Sequence, residues 1–256
     1  MRPSQPRPPA ATDLPIRPDL RYATGEEPMQ PPFPAWVPPR LTVRDAPDTI
    51  FPVRRVFCVG QNYAAHAREM GTDPDREPPF FFAKPPDAVV EGGEIAYPPL
   101  TRDLHHEVEL VVALAQTLAA ASPAEARGAI YGYAVGIDLT RRDVQAAAKA
   151  KGRPWTLAKG FDGAAPVSPL VRAADIGHPR AGAIGLSVNG AVRQAGDLAQ
   201  MSWDVDALLA ELSRWITLHP GDLVFTGTPS GVGPLQPGDV GVAEVAGVGR
   251  LDFRVR

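Results

Sequence analysis

Cysteine is nearly absent: Cys58, in the apolar run "VFCVG", is the only one among 256 residues. A single cysteine allows no intrachain disulfide, which suits a reducing compartment and makes the cytoplasm the expected location. In that apolar setting Cys58 reads as a buried small hydrophobe rather than a nucleophile. Long hydrophobic runs are missing as well. No stretch approaches the roughly 18 apolar residues of a membrane helix, and the N-terminus has no apolar core of the signal-peptide kind. Neither sign of charge dominates, and a net charge of −3 gives no reason to expect nucleic acid or an anionic membrane as partner. No internal repeat is visible. What is present, 44% hydrophobic and 21% charged residues, describes a globular protein with enough chain for one large domain or two small ones.

Proline is abundant and unevenly placed. It crowds the segments "RPSQPRPPA" and "MQPPFPAWVPPR", where it removes backbone donors and favours extended polyproline II. Residues 1–48 therefore read as an extension, packed on the body or on a neighbouring chain through Phe33 and Trp36. A ligand for a proline-reading domain is the functional alternative. Residues 49–256 read as one domain.

Within that domain the pattern predicts many strands and few helices. "VRRVFCVG", "PPFFFAKP", "HEVELVVALA" and "YGYAVGIDL" read as strands, and "VEGGEIAYP" as two strand-like runs around a Gly-Gly turn. "LSVNGAVRQ" reads as a hairpin with an Asn189-Gly190 turn. "SPAEARGAI" opens a helix with Ser122 as N-cap, Pro123 in its first position and Glu125 reaching back. "TRRDVQAAAKAKG" predicts a helix capped by Thr140 and stopped at Gly152. "SWDVDALLAELSRWI" predicts an amphipathic helix with Leu208, Leu209, Leu212, Trp215 and Ile216 on one face. Strands do not alternate regularly with helices, so the expected class is α+β, mostly β, with the sheet rolled or sandwiched rather than doubly wound.

The chemistry begins at "LHHEVEL", residues 104–110. Side chains at i and i+2 on a strand share a face, so Glu107 and Glu109 project together. Two neighbouring carboxylates repel, and burial sharpens the repulsion. A divalent cation would neutralise them, since hard cations prefer carboxylate oxygens. A solvated edge strand with one polar face is the bland alternative. Asp138, ending "YAVGIDL", could supply a third oxygen and leave room for water and substrate, as at catalytic magnesium or manganese. His105 shares the face of Glu107 and His106 faces the other way. Neither has a helical histidine partner, which argues against zinc. In "GQNYAAHAREMG", His66 and Glu69 stand three apart. That spacing suits a carboxylate orienting a general-base imidazole, and equally a surface salt bridge. Lys159, in "PWTLAKGFD", could stabilise an oxyanion or simply snorkel to solvent.

Taken together and in order, "VFCVGQNYAAHAREMG", "PPFFFAKPPDAVV", "LHHEVELVVAL", "GYAVGIDLTRRDVQ", "PWTLAKGFD", "LSVNGAVRQ" and "GDLVFTGTPSGVGPLQPGDV" resemble the fumarylacetoacetate hydrolase superfamily. The likeness covers about residues 52–256. It is greatest toward fumarylpyruvate hydrolases of gentisate degradation, through "REMGTDPDREPPFFFAKPPDAVV" and "DLTRRDVQAAAKAKGRPW". The resemblance implies a mixed β-sandwich roll with a few peripheral helices, a homodimer, and a Mg2+- or Mn2+-dependent hydrolase of acylpyruvates. It also implies roles. Glu107, Glu109 and Asp138 become metal ligands. His66, Glu69 and Lys159 become catalytic residues, and Arg142, Gln145 and Thr228 contact substrate. Oxaloacetate decarboxylation, isomerisation of unsaturated oxo-diacids and a non-catalytic, metal-stabilised binding protein are the competing readings.

Overall fold

The computed structural model describes residues 34, 37–69 and 78–256, without the side chains of residues 47 and 67–69. Phe33 and Trp36, the expected anchors of the extension, lie outside the described residues, and so does the side chain of Glu69. A compact unit spans Pro38–Arg256. It therefore begins earlier than residue 49. Arg40–Val43 pairs antiparallel with Ala46–Pro52, burying Leu41 and Val43, and the Arg44 N–H donates to the Leu170 carbonyl at 2.7 Å. The short Leu-x-Val alternation responsible is hidden between prolines.

The protein is α+β and mostly β, as expected. The larger sheet has the backbone order Phe80–Lys84, Arg55–Gly60, Asp222–Phe225, Val108–Leu114, Ile130–Ile137, Ala165–Val167, Val89–Glu91. It mixes parallel pairs, such as Asp222–Phe225 on Arg55–Gly60, with antiparallel ones, such as Val108–Leu114 on Ile130–Ile137. A five-stranded sheet runs Ala191–Asp197, Ala183–Val188, Val240–Val245, Gly249–Val255, Glu94–Ile95. Its inner strands lie against Val108–Leu114 and Ile130–Ile137. Those two strands are covered on both faces, which explains why every residue of Val108–Leu114 is buried and why the sequence there is a continuous apolar run rather than an alternating one.

Local details correct several expectations. The strand anticipated from His106 through Ala115 is broken at Glu107: Leu104–His106 belongs to a small three-stranded sheet, and Val108–Leu114 to the large one. The runs flanking Gly92-Gly93 do not pair with each other; they join different sheets. The helix after Asp138 is Arg142–Ala150 and its N-cap is Arg141. Thr140 instead sits in a short strand, where its hydroxyl donates to the Asp138 carbonyl. In the helix Val205–Trp215 the three leucines are buried, but Trp215 is 77% exposed and Ile216 lies past the helix end. The capping box at Ser122 and the Asn189-Gly190 turn form as the sequence dictates; both turn residues take positive φ, 51° and 80°.

Candidate active site

Three segments deliver three carboxylates to one point. Glu107 sits in the break between two sheets, Glu109 in the second position of the buried strand, and Asp138 just past the end of its neighbour. The Asp138 N–H donates to the Glu107 carbonyl at 2.8 Å, which ties the two carriers together. All three side chains are buried, and one oxygen from each lies within 4.8 Å of the others. The expectation that Glu107 and Glu109 share a face holds, despite the sheet boundary between them.

Two lysines and an arginine balance this charge. Lys159, at the end of the short helix Thr156–Lys159, donates to Glu107 Oε2 at 2.8 Å and to Asp138 Oδ2 at 2.7 Å. Burial would discharge that ammonium, but Asp138 and Glu107 outweigh burial and hold its pKa above the ordinary value. Lys84 Nζ lies 2.8 Å from Asp138 Oδ1. Arg142 donates to Glu107 and, at 2.6 Å, to Gln145. Burial pushes the Glu107 carboxyl up, but Lys159, Arg142 and His66 together hold it well below the usual range.

Glu109 is different. Its Oε2 accepts one backbone N–H, from Gly227 at 2.6 Å. Burial raises its pKa well above the ordinary value, and the negative charges of Asp138 and Glu107 raise it further. Glu109 is thus the carboxylate that the protein's own cations neutralise least. A divalent cation against these three acids would satisfy it directly, and an all-oxygen donor set suits Mg2+ or Mn2+. The residues fit such an ion.

The three acids also line a cavity of about 30 Å³. His66, Arg142, Gln145, Lys159 and Thr228 all line it, and Phe80, Phe82 and Trp155 form an aromatic wall. Trp155 meets both phenylalanines edge-on, with ring centroids 5.5 and 5.8 Å apart. His66 is buried on the helix Ala64–Glu69. That helix is located by Asn62, whose amide donates to the Trp203 and Thr226 carbonyls at 2.9 and 2.8 Å and accepts the Trp203 N–H at 2.8 Å. Every sequence-proposed site residue with a described side chain therefore meets at one place.

The chain matches the fumarylacetoacetate hydrolase C-terminal family over residues 55–256. It belongs to the fumarylacetoacetate hydrolase family. A fumarylpyruvate hydrolase of Pseudomonas aeruginosa, solved in complex with Mn2+ and pyruvate, is 48% identical, covers 88% of this chain and 99% of its own, and superposes with a TM-score of 0.86. A candidate fumarylpyruvate hydrolase of Burkholderia cenocepacia is 53% identical over 88% of this chain and 98% of its own, with a TM-score of 0.82. An oxaloacetate tautomerase of Escherichia coli is 46% identical, covering 74% of this chain and 87% of its own. The first two establish the fold of this family member as well as its family.

Lys84 and Asn62 help build this fumarylacetoacetate hydrolase-type site without having stood out in the sequence. Lys84 ends an aromatic strand, "FFFAKPP", and is 2% exposed. A lone lysine closing an apolar strand just before two prolines was the available signal. Asn62 had none, since a buried amide and an exposed one look alike in sequence.

Proposed function

We propose that this chain hydrolyses the carbon–carbon bond of an acylpyruvate, with fumarylpyruvate as substrate and fumarate and pyruvate as products. The observation that carries the proposal is His66: a buried imidazole lining the same cavity as the three acids. Enolate chemistry alone needs a cation and an α-oxo acid. Hydrolysis also needs a group to take a proton from water, and an imidazole is suited to that task.

A cation held by Glu107, Glu109 and Asp138 would supply Lewis acidity to the α-oxo acid end and make the pyruvate carbanion a feasible leaving group. The remaining work falls to side chains. His66 takes a proton from water as the water oxygen bonds to the acyl carbonyl carbon. Gln145 accepts from Arg142 through its amide oxygen, which leaves its NH2 to donate to the developing oxyanion. Lys159 has three N–H bonds and gives two to carboxylates; the third serves the same oxyanion. The carbon–carbon electron pair then leaves with the pyruvyl carbon, which takes up the proton held by His66. Phe82 and Trp155 present flat apolar faces suited to a planar unsaturated acyl chain. A homodimer, a cytoplasmic location and a place in gentisate degradation are parts of the same proposal.

Oxaloacetate tautomerisation is the second reading, favoured by the 46% identity to the Escherichia coli enzyme. A substrate panel separates the two. Fumarylpyruvate, maleylpyruvate, acetylpyruvate and oxaloacetate are compared by kcat/KM with Mg2+ and with Mn2+. Fumarylpyruvate should rank first. Preferred turnover of oxaloacetate, with acylpyruvates untouched, would replace the proposal by the second reading.

A further inference from the structure

The hairpin "LSVNGAVRQ" ends in Gln194, which is 1% exposed on the five-stranded sheet and carries no part of the chemistry above. Its side chain nevertheless reaches four groups. Oε1 accepts the Val108 N–H at 3.1 Å and meets His106 Nδ1 at 2.9 Å. Nε2 donates to the Pro229 carbonyl at 2.9 Å and to Thr228 Oγ1 at 2.8 Å.

The orientation of this amide is decided from both ends. A backbone N–H can only donate, so Val108 faces the oxygen. A carbonyl can only accept, so Pro229 faces the nitrogen. The second amide proton must then go to Thr228 Oγ1. That hydroxyl has one proton, and with Gln194 occupying a lone pair the proton is free to point elsewhere. Thr228 is 2% exposed and lines the cavity of the three acids. Among the described residues no protein acceptor takes its proton. The same logic puts a proton on His106 Nδ1, since the oxygen it meets has none to give. His106, Val108 and Gln194 thus form a rigid bracket from the metal-ligand strand to the Thr228 loop.

We propose that Gln194 is a positioning residue, which by donating to Thr228 Oγ1 turns the Thr228 hydroxyl proton into the cavity to bind the carboxylate of the α-oxo acid substrate. This rests on the proposed function in assigning an α-oxo acid to the cavity. It adds the residue that sets affinity for the carboxylate end and fixes the direction of that hydrogen bond.

The test uses pyruvate binding to the Mn2+-loaded protein, measured by calorimetry, with Mn2+ affinity measured alongside. Gln194→Met removes the donor at similar length, and Thr228→Val removes the hydroxyl. Each should weaken pyruvate binding by roughly 10–100-fold, the range for one hydrogen bond to a charged group. Mn2+ affinity should stay within about threefold, since no acid ligand is touched. The double variant should bind pyruvate no more weakly than Thr228→Val, because both changes delete one interaction. If Gln194→Met does not fold, Gln194→Glu carries the test: it keeps the bonds from Val108 and His106 but accepts the Thr228 proton and turns it away. It too should lose affinity, and lose no more in the Thr228→Val background. Wild-type pyruvate affinity in the folded Gln194 variant, or losses that add in the double variant, would overturn the proposal. So would a wild-type protein that binds no pyruvate. A protein that binds pyruvate through this pair but does not cleave fumarylpyruvate would keep this inference and remove only the proposed reaction.

Discussion

Replacing Lys84 with Met should destabilise the protein by an amount that the structure allows us to bound. The ammonium meets four oxygens: the carbonyls of Lys159, Ala164 and Leu139 at 2.5, 2.9 and 3.2 Å, and Asp138 Oδ1 at 2.8 Å. Methionine fills a similar volume, so little cavity is created. What changes is that Asp138, 1% exposed, loses a cation and three buried carbonyls lose a donor. Removing one partner of a buried ion pair costs about 3–5 kcal/mol, because the other charge is left uncompensated. Lys159 still holds Asp138 Oδ2 at 2.7 Å, which places the ion-pair part of the loss at the low end, about 3 kcal/mol; the carbonyls that lose a donor make that a lower bound. For a domain of this size each kcal/mol moves Tm by about 2–4 °C, giving a fall of at least about 6 °C. Thermal unfolding followed by circular dichroism, with chelator and with saturating Mn2+, is the assay. The fall should shrink in Mn2+, because a cation on the three acids takes over part of the neutralisation of Asp138. A change under about 2 °C in chelator would refute the view of Lys84 as a buried counter-ion.

Other perturbations probe separate parts of the site. His66→Ala should lower fumarylpyruvate hydrolysis by roughly 10²–10⁴-fold, the usual contribution of a positioned acid–base group, with Mn2+ affinity unchanged in calorimetry. Gly227 has φ +95°, and a Cβ there would stand 2.8 Å from Asn62 Cβ. Gly227→Ala should therefore cost at least about 1 kcal/mol in a denaturant titration, and should weaken Mn2+ binding by displacing the N–H that holds Glu109. Deleting residues 1–33 should leave kcat/KM within a few fold, since the first described strand begins at Arg40 and all proposed chemistry follows it. An inactive but folded and metal-loaded truncation would show that part of the site has been misplaced.

The class of the fold was legible where local rules act alone. Ser122 with Glu125, and Asn189 with Gly190, specify a cap and a turn whatever surrounds them, and both formed. Errors arose where tertiary pairing decided. The run "HEVELVVALA" cannot reveal that its Glu107 lies between two sheets, because each half is a good strand on its own. Thr140 is a good N-cap by type, but pairing with His105 takes it into a strand first. Trp215 fits the apolar face by spacing, yet the helix ends there and leaves it in solvent. The acids were legible for a physical reason: charge in an apolar strand is costly, so its presence announces a partner. The bracket around Gln194 was not, because its four partners come from segments distant in sequence.

Turnover of fumarylpyruvate in 18O-labelled water by the Mn2+-loaded protein, with products read by mass spectrometry, tests the central claim most directly. Water attack on the acyl carbonyl predicts equal amounts of fumarate and pyruvate, with 18O in the newly formed fumarate carboxylate and no cleavage once the metal is chelated. Recovery of an uncleaved carbon skeleton, while keto–enol exchange of an α-oxo acid proceeds at the same site, would contradict it.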